Sequence, residues 1–265
     1  EVWPYMKADV VNRPLDLMRC PSGIVEDRFL QKHAWKGMRK EIVPVTDPQD
    51  GHGEPLIPIT DFAGLLGLVQ AAALEIHPWG SSLAALEQPD MIVFDLDSGE
   101  GVTWADVIAA ATEVRERIGK VGLTGFVKTT GGKGLHVVVP LKPRAGWDEV
   151  KAFAKGVADA MAADAPDRFV AVATKAKRRG RIFVDYLRNG RGATAVAPYS
   201  TRARPGASVS MPLGWDELRP ELGPAYFTIA NAPTRLSNLR SDPWAAFAKA
   251  AAPLTAPRKG RSRAA

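Results

Sequence analysis

The order strand, helix, hairpin, helix, strand in the middle of the chain predicts an α+β fold, a sheet covered by helices. Three observations carry this. Met91-Ile92-Val93-Phe94 is wholly apolar, the mark of a buried strand. Gly125-Phe126-Val127-Lys128-Thr129 and Leu135 to Val139 flank a tight glycine loop and read as a hairpin. Amphipathic stretches from Thr103 to about Gly119 and from Trp147 to about Ala163 supply the helices.

The remaining elements follow in chain order. Residues 1–50 are irregular and rich in Pro and charge, although Val2, Trp3 and Tyr5 read as part of a packed element. Ile42-Val43-Pro44-Val45 reads as a short strand, and Asp47 to Gly53 as a turn cluster. Asp61 can cap a helix from Phe62 to about Glu75 that is apolar on most faces and hence buried; His77-Pro78-Trp79-Gly80 breaks it. The apolar strand at Met91 ends in Asp95-Leu96-Asp97-Ser98-Gly99, and Arg181 to Leu187 reads as a further strand. From Pro198 onward loops with short elements are expected, with a last helix from Trp244 to Ala251.

With 265 residues, 46% of them hydrophobic, the chain can bury a sizeable core. Lys+Arg is 35 against Asp+Glu at 29, a net charge of +6, which suits a polyanionic partner. Part of that excess sits in Pro257 to Arg263, which reads as a solvated, disordered tail. The single cysteine, Cys20, excludes an intrachain disulfide and a thiol-based zinc site and fits a reducing, intracellular setting. No run is long and apolar enough to span a membrane. The chain opens on Glu1 rather than Met, so a fragment of a longer polypeptide is expected.

Asp95 and Asp97 are two residues apart, so on a strand both carboxylates face one point. Two such charges raise each other's pKa unless a cation lies between them, and Mg²⁺ and Mn²⁺ prefer oxygen ligands. An isolated D-x-D is more often a polar turn. A third acid shifts the balance. Asp185 lies within the apolar Ile182-Phe183-Val184-Asp185-Tyr186-Leu187, where a carboxylate is costly unless paired or bound to metal. Three carboxylates on neighbouring strands are what two-metal nucleotidyl transfer requires.

Thr130-Gly131-Gly132-Lys133-Gly134-Leu135-His136 joins the hairpin strands. Its glycines let backbone N–H groups approach an anion, while Thr130, Lys133 and His136 add a hydroxyl, a charge and a ring. A triphosphate cradle and a plain hairpin turn both fit that loop. Arg202 and Arg204 are candidates for phosphate contact, because the guanidinium fork pairs with phosphate oxygens. The run Lys175-Ala176-Lys177-Arg178-Arg179-Gly180-Arg181 precedes the Asp185 strand and could hold template or primer phosphates. The same features leave open a non-catalytic nucleic-acid binding module and a metal-dependent phosphoesterase.

In order and spacing, Asp95-Leu96-Asp97, Thr130 to His136 and Val184-Asp185-Tyr186 resemble the polymerase domain of bacterial DNA ligase D, a member of the archaeo-eukaryotic primase superfamily. Arg19-Cys20-Pro21-Ser22-Gly23-Ile24, Leu74-Glu75-Ile76-His77-Pro78-Trp79 and Ala195 to Gly206 agree with it, and the likeness covers about residues 10–250. The resemblance implies mixed sheets flanked by helices, with an RRM-like module carrying the acids. It places a primase-polymerase domain over residues 1–252 and a basic tail over 253–265. It implies a template-dependent polymerase that fills gaps and extends DNA ends in non-homologous end joining, prefers ribonucleoside triphosphates, uses Mn²⁺ or Mg²⁺ and works with the end-binding protein Ku in the bacterial cytoplasm, associated with the nucleoid.

By the same resemblance, Asp95, Asp97 and Asp185 bind the metals. His77, Thr130, Gly131, Lys133, His136 and Arg202 belong to the nucleotide site. Phe29, Lys32, Lys175, Lys177, Arg178 and Arg204 approach DNA. The family usually has Ser at the position of Thr130, and the hydroxyl survives. The family's lysines that grip the 5′-phosphate across a gap lie before the position of Glu1, so that recognition is expected to be affected. Ligase and phosphoesterase domains belong to the full enzyme, and the basic tail would suit a polypeptide whose polymerase domain comes last.

Overall fold

The computed structural model describes residues 1–49, 51 and 53–254. The expected disordered tail therefore falls, from residue 255 on, outside the described residues. In chain order the elements are α1 (Trp3–Val10), β1 (Leu15–Arg19), β2 (Phe29–Gln31), α2 (Phe62–Gln70), β3 (Ala73–Pro78), β4 (Met91–Ser98) and α3 (Trp104–Gly119). They continue with β5 (Phe126–Thr129), β6 (Leu135–Pro140), α4 (Trp147–Asp164), β7 (Phe169–Val170), β8 (Ile182–Asp185), β9 (Pro212–Leu213) and α5 (Ala232–Asn238).

Six strands form the main sheet in the order β7-β8-β4-β6-β5-β9, antiparallel except for the β7–β8 pair. β4 is central and its two faces differ. Ile92, Phe94 and Leu96 point to the side covered by α3 and α4, where they join Val137, Val139, Val107 and Ala154 in the largest core cluster. Val93 points the other way and packs with Phe126, Val138 and Trp244. Asp95 and Asp97 share that second face but lie beyond the cover. α3 starts with a capping box, in which Thr103 Oγ1 accepts from Asp106 N at 3.2 Å and Asp106 Oδ2 accepts from Thr103 N at 2.9 Å.

The second sheet, β2-β1-β3, is antiparallel and sets Asp16 opposite His77. It is tied to the main sheet through residues 194–201: Trp79 bridges Thr194, Ala197 N donates to Ile76 O, and Ile76 N donates to Ser200 Oγ.

Four sequence expectations are corrected. The helix capped by Asp61 stops at Gln70 rather than near Glu75. Ala72 takes a positive φ of 60°, the chain reverses, and Ala73 and Glu75 to Pro78 pair with β1 instead. Cross-strand pairing of β-branched Ile76 and the missing N–H of Pro78 outweigh the helical look of the apolar run. Residues 1–50 hold a helix and two strands, because their apolar positions find partners distant in sequence. Ile42 to Val45 form no strand; only Val45 makes a bridge, to Leu56. Trp244 to Ala251 form turns and one 3-10 turn (Ala248–Ala250), held by Trp244 and Phe247 stacked at 5.0 Å and by Trp244 Nε1 donating to Val127 O.

Candidate active site

The register of the main sheet places four ionisable residues in one row. Asp185 on β8 faces Asp95 on β4, Asp95 faces His136 on β6, and His136 faces Lys128 on β5. Cross-strand partners share a face, so all four side chains stand on the same side of the sheet. Asp97 lies two residues along β4 and joins them. Oxygens of Asp95, Asp97 and Asp185 all come within 4.8 Å of one another, close enough to hold a divalent ion. β4 continues through Ser98, so both acids are on the strand rather than in a turn after it.

Two arginines balance this charge. Arg188 Nε lies 3.3 Å from Asp95 Oδ2 and 3.6 Å from Asp185 Oδ2, and Arg178 Nη1 lies 3.4 Å from Asp97 Oδ2. Burial, reinforced by Asp95 and only partly offset by Arg178, pushes the Asp97 carboxyl up to about 6. Burial also raises Asp185, against the hydrogen bond from Leu187 N to its Oδ1 at 2.7 Å and against Arg188. For Asp95 burial is overcome: the His136 ring, Arg188 and Lys128 together keep its carboxyl below the ordinary range. Burial and the nearby Lys128 push His136 down to about 4, so its ring is neutral at neutral pH. Nε2 stands 3.4 Å from Asp95 Oδ1, and the buried Nδ1 has no hydrogen-bond partner among the described residues. Three crowded carboxylates, two of them raised by burial and by Asp95, form an oxygen-only donor set that fits Mg²⁺ or Mn²⁺.

The glycine loop borders the acids. Gly131 has φ +63°, a conformation other residues avoid, and a Cβ on Gly134 would overlap the Leu96 carbonyl. Thr130 Oγ1 accepts from Gly132 N at 3.1 Å and Gly134 N at 3.4 Å, so this hydroxyl shapes the loop itself. From outside, Arg202 Nη1 donates to Thr130 O at 2.5 Å, and Ser208 Oγ donates to Gly131 O.

A cleft of about 450 Å³ lies between acids and loop. Of the expected nucleotide site, His77, Thr130, Lys133, His136 and Arg202 line it; Gly131 is behind them within the loop. Of the expected DNA contacts, Arg204 lines the cleft and Arg178 touches Asp97, with Lys175 and Lys177 exposed on the same 3-10 turn (Lys175–Arg178). Phe29 and Lys32 stand apart on the smaller sheet and its edge. Lys32 Nζ is 3.9 Å from Asp16, and Phe29 is exposed beneath Arg19. Three larger grooves, about 740, 650 and 510 Å³, lie beside α5, between α3 and α4, and along α3 near Asp164; none includes any of the three acids.

Three residues escaped the sequence reading. Lys128 is fully buried; its Nζ donates to Val196 O and Ser210 Oγ at 2.8 and 2.7 Å, and burial together with Arg202 pushes it down to about 7. A charge inside Phe126-Val127-Lys128-Thr129 is the same signal that marked Asp185. Arg188 follows Asp185 by three residues. Asn189 brackets Val93, accepting from its N–H and donating to its carbonyl at 2.8 Å each, which fixes the turn that carries Arg188. Nothing local in the sequence marks that pairing.

A family model described as LigD, primase-polymerase domain, matches residues 1–244. The chain belongs to this family. The resemblance read from the motifs is therefore borne out over nearly the whole chain. The multifunctional non-homologous end joining protein LigD of Pseudomonas aeruginosa is 43% identical over 241 residues, 91% of this chain and 29% of the relative. The bifunctional non-homologous end joining protein LigD of Bacillus subtilis is 30% identical over 232 residues, 86% of this chain and 37% of the relative. The chain thus spans about a third of the length of these LigD proteins. The polymerase domain of Mycobacterium tuberculosis ligase D, solved in complex with DNA, superimposes with a TM-score of 0.84 at 27% identity, over 94% of this chain and 89% of that one. The α+β, primase-like architecture expected from the sequence agrees with that LigD fold. No helix among the described residues is long and apolar enough to cross a membrane.

Proposed function

We propose that the chain is a template-dependent nucleotidyltransferase that adds nucleotides, ribonucleotides by preference, to DNA ends or gaps in non-homologous end joining. The observation that carries this is the convergence of Asp95, Asp97 and Asp185, the first two lining one side of a cleft whose other side is the Thr130–His136 loop with Arg202 and Arg204. Family membership supports the same reading. The three acids would hold Mn²⁺ or Mg²⁺; such ions supply activation of the attacking hydroxyl and neutralise charge on the triphosphate and its leaving group.

The protein's own groups do the rest. Lys133, Arg202 and Arg204 bring positive charge to the phosphates, with the Arg202 fork already held against the loop. Neutral His136 faces Asp95 with Nε2, which leaves its buried Nδ1 as the acceptor. Lys175, Lys177 and Arg178 extend positive charge from the acids along the surface, suited to template or primer phosphates, with Phe29 and Lys32 a more distant contact. The primase-polymerase domain is taken as residues 1–252, acting beside ligase and phosphoesterase domains and a Ku-type end-binding protein in the bacterial cytoplasm, at the nucleoid.

Primer extension on gapped DNA with NTPs and Mn²⁺ tests this. Wild type should extend and Asp97→Ala should fall to background. Equal extension by Asp97→Ala removes the metal assignment, and salt-sensitive DNA binding without turnover in any metal would favour a non-catalytic end-binding module.

A further inference from the structure

Glu75 sits on β3 two residues before His77 and has no role in the reading above. It is 5% exposed, and three donors converge on it. His77 Nε2 is 2.8 Å from Oε2, Arg202 Nε donates to the same oxygen at 3.0 Å, and Ala203 N donates to Oε1 at 2.7 Å. Positions i and i+2 of a strand share a face, so β3 presents Glu75 and His77 together. Arg202 arrives from a separate segment, which Thr201 Oγ1 fastens to β3 through the Leu74 carbonyl. The far end of Arg202 reaches the Thr130 carbonyl at 2.5 Å. One carboxylate therefore joins the small sheet, the 199–204 segment and, through Arg202, the glycine loop.

The charge is retained. Burial works against it, but the His77 hydrogen bond, Arg202 and the Ala203 N–H hold the carboxyl at about 2. A buried carboxylate is expensive without partners; here each oxygen is met, one of them by a guanidinium. Both side chains it holds line the cleft.

We infer that Glu75 is a positioning residue for the nucleotide: its carboxylate fixes the His77 ring and the Arg202 guanidinium in one arrangement, so the ligand meets a preformed pair. This rests on the nucleotide-site reading above. An arginine has many rotamers, and holding it before binding spares the ligand that ordering cost. Donation from Nε2–H to Glu75 also sets the His77 tautomer, leaving Nδ1 as an acceptor. His77 thus suits a hydroxyl or amino donor of the nucleotide, and Arg202 suits its phosphate.

Steady-state primer extension with ATP as the varied nucleotide separates the possibilities. Glu75→Gln keeps the shape but turns an amide NH₂ toward donors. Its KM for ATP should rise about tenfold, with kcat within about twofold of wild type. In the H77A/R202A background the same change should add nothing, because its partners are gone. A normal KM in E75Q, where H77A or R202A raises it, overturns the inference. So does an equal rise in both backgrounds, which marks a general packing defect. If H77A and R202A both leave KM unchanged, the nucleotide-site reading itself falls. Nitrogen NMR of the wild-type histidines, four in all, provides a check that needs no variant: His77 should carry its proton on Nε2, and a proton on Nδ1 overturns the proposal.

Discussion

Replacing Asp97 by Asn should stabilise the metal-free protein at pH 8 and destabilise it relative to wild type once metal is added. A carboxyl held at about 6 rather than near 3.8 resists ionisation in the folded state by about 3 kcal/mol. The side chain is 42% exposed, so solvent screening reduces this to about 1 kcal/mol. The sign follows from proton binding. The folded pKa lies above the unfolded one, so between pH 3.8 and about 6 the native state holds more protons and wild-type stability falls as pH rises. The penalty is complete above pH 6, about half as large at pH 5, and gone below the unfolded value. The amide carries no such penalty and keeps an oxygen for Arg178. For a chain of this size about 1 kcal/mol corresponds to roughly 2–4 °C in Tm. Thermal melts in EDTA at pH 8 and pH 5 measure the difference. Melts with Mn²⁺ near a hundredfold above its Kd should reverse the order, since wild type then gains about 2.7 kcal/mol that the variant largely forgoes. A D97N variant no more stable than wild type in EDTA at pH 8, or a gap unchanged at pH 5, would refute the reasoning.

Two further outcomes test the loop and the basic run. Gly134→Ala pushes a methyl into the Leu96 carbonyl beside the acids, so urea denaturation should give a loss of about 1–3 kcal/mol and the KM for NTP should rise; an unchanged KM detaches the loop from nucleotide binding. Lys175→Ala with Lys177→Ala removes two exposed cations beside Arg178. If both contact phosphates, the slope of log K against log salt for duplex DNA should become shallower by about 2; an unaltered slope places the DNA elsewhere.

The main sheet was largely legible because its strands carry their own evidence. Met91 to Phe94 and Val137 to Val139 are apolar on both faces, which only a covered central strand tolerates. The acids were legible as charges where charge is costly. Lys128 offered the same signal and went unused. The strand that carries Glu75 and His77 was hidden by the opposite problem. Phe62 to about Glu75 looks like one helix, and only pairing with β1, some sixty residues upstream, makes its end the start of a strand. The stacked Trp244 and Phe247 mimic a helical repeat for a similar reason: their spacing is fixed by Phe126 across the sheet, not by local turns. The clamp of Asn189 on Val93 and the convergence on Glu75 are long-range hydrogen bonds, which leave no periodicity to read.

The cross-strand row from Asp185 through Asp95 and His136 to Lys128 also bears on how the chain finds its pairing. A strand slipped by one residue turns its whole set of side chains over. In β4 that slip would drive Asp95 and Asp97 into the layer beneath α3 and α4, among Val107, Val114 and Val137, and bring Phe94 out in their place. In β6 it would send His136 the same way. Apolar residues on both faces of β4 would otherwise make neighbouring registers nearly equivalent. The charged row breaks that equivalence, so the same groups also keep the sheet from zipping up one residue out of step.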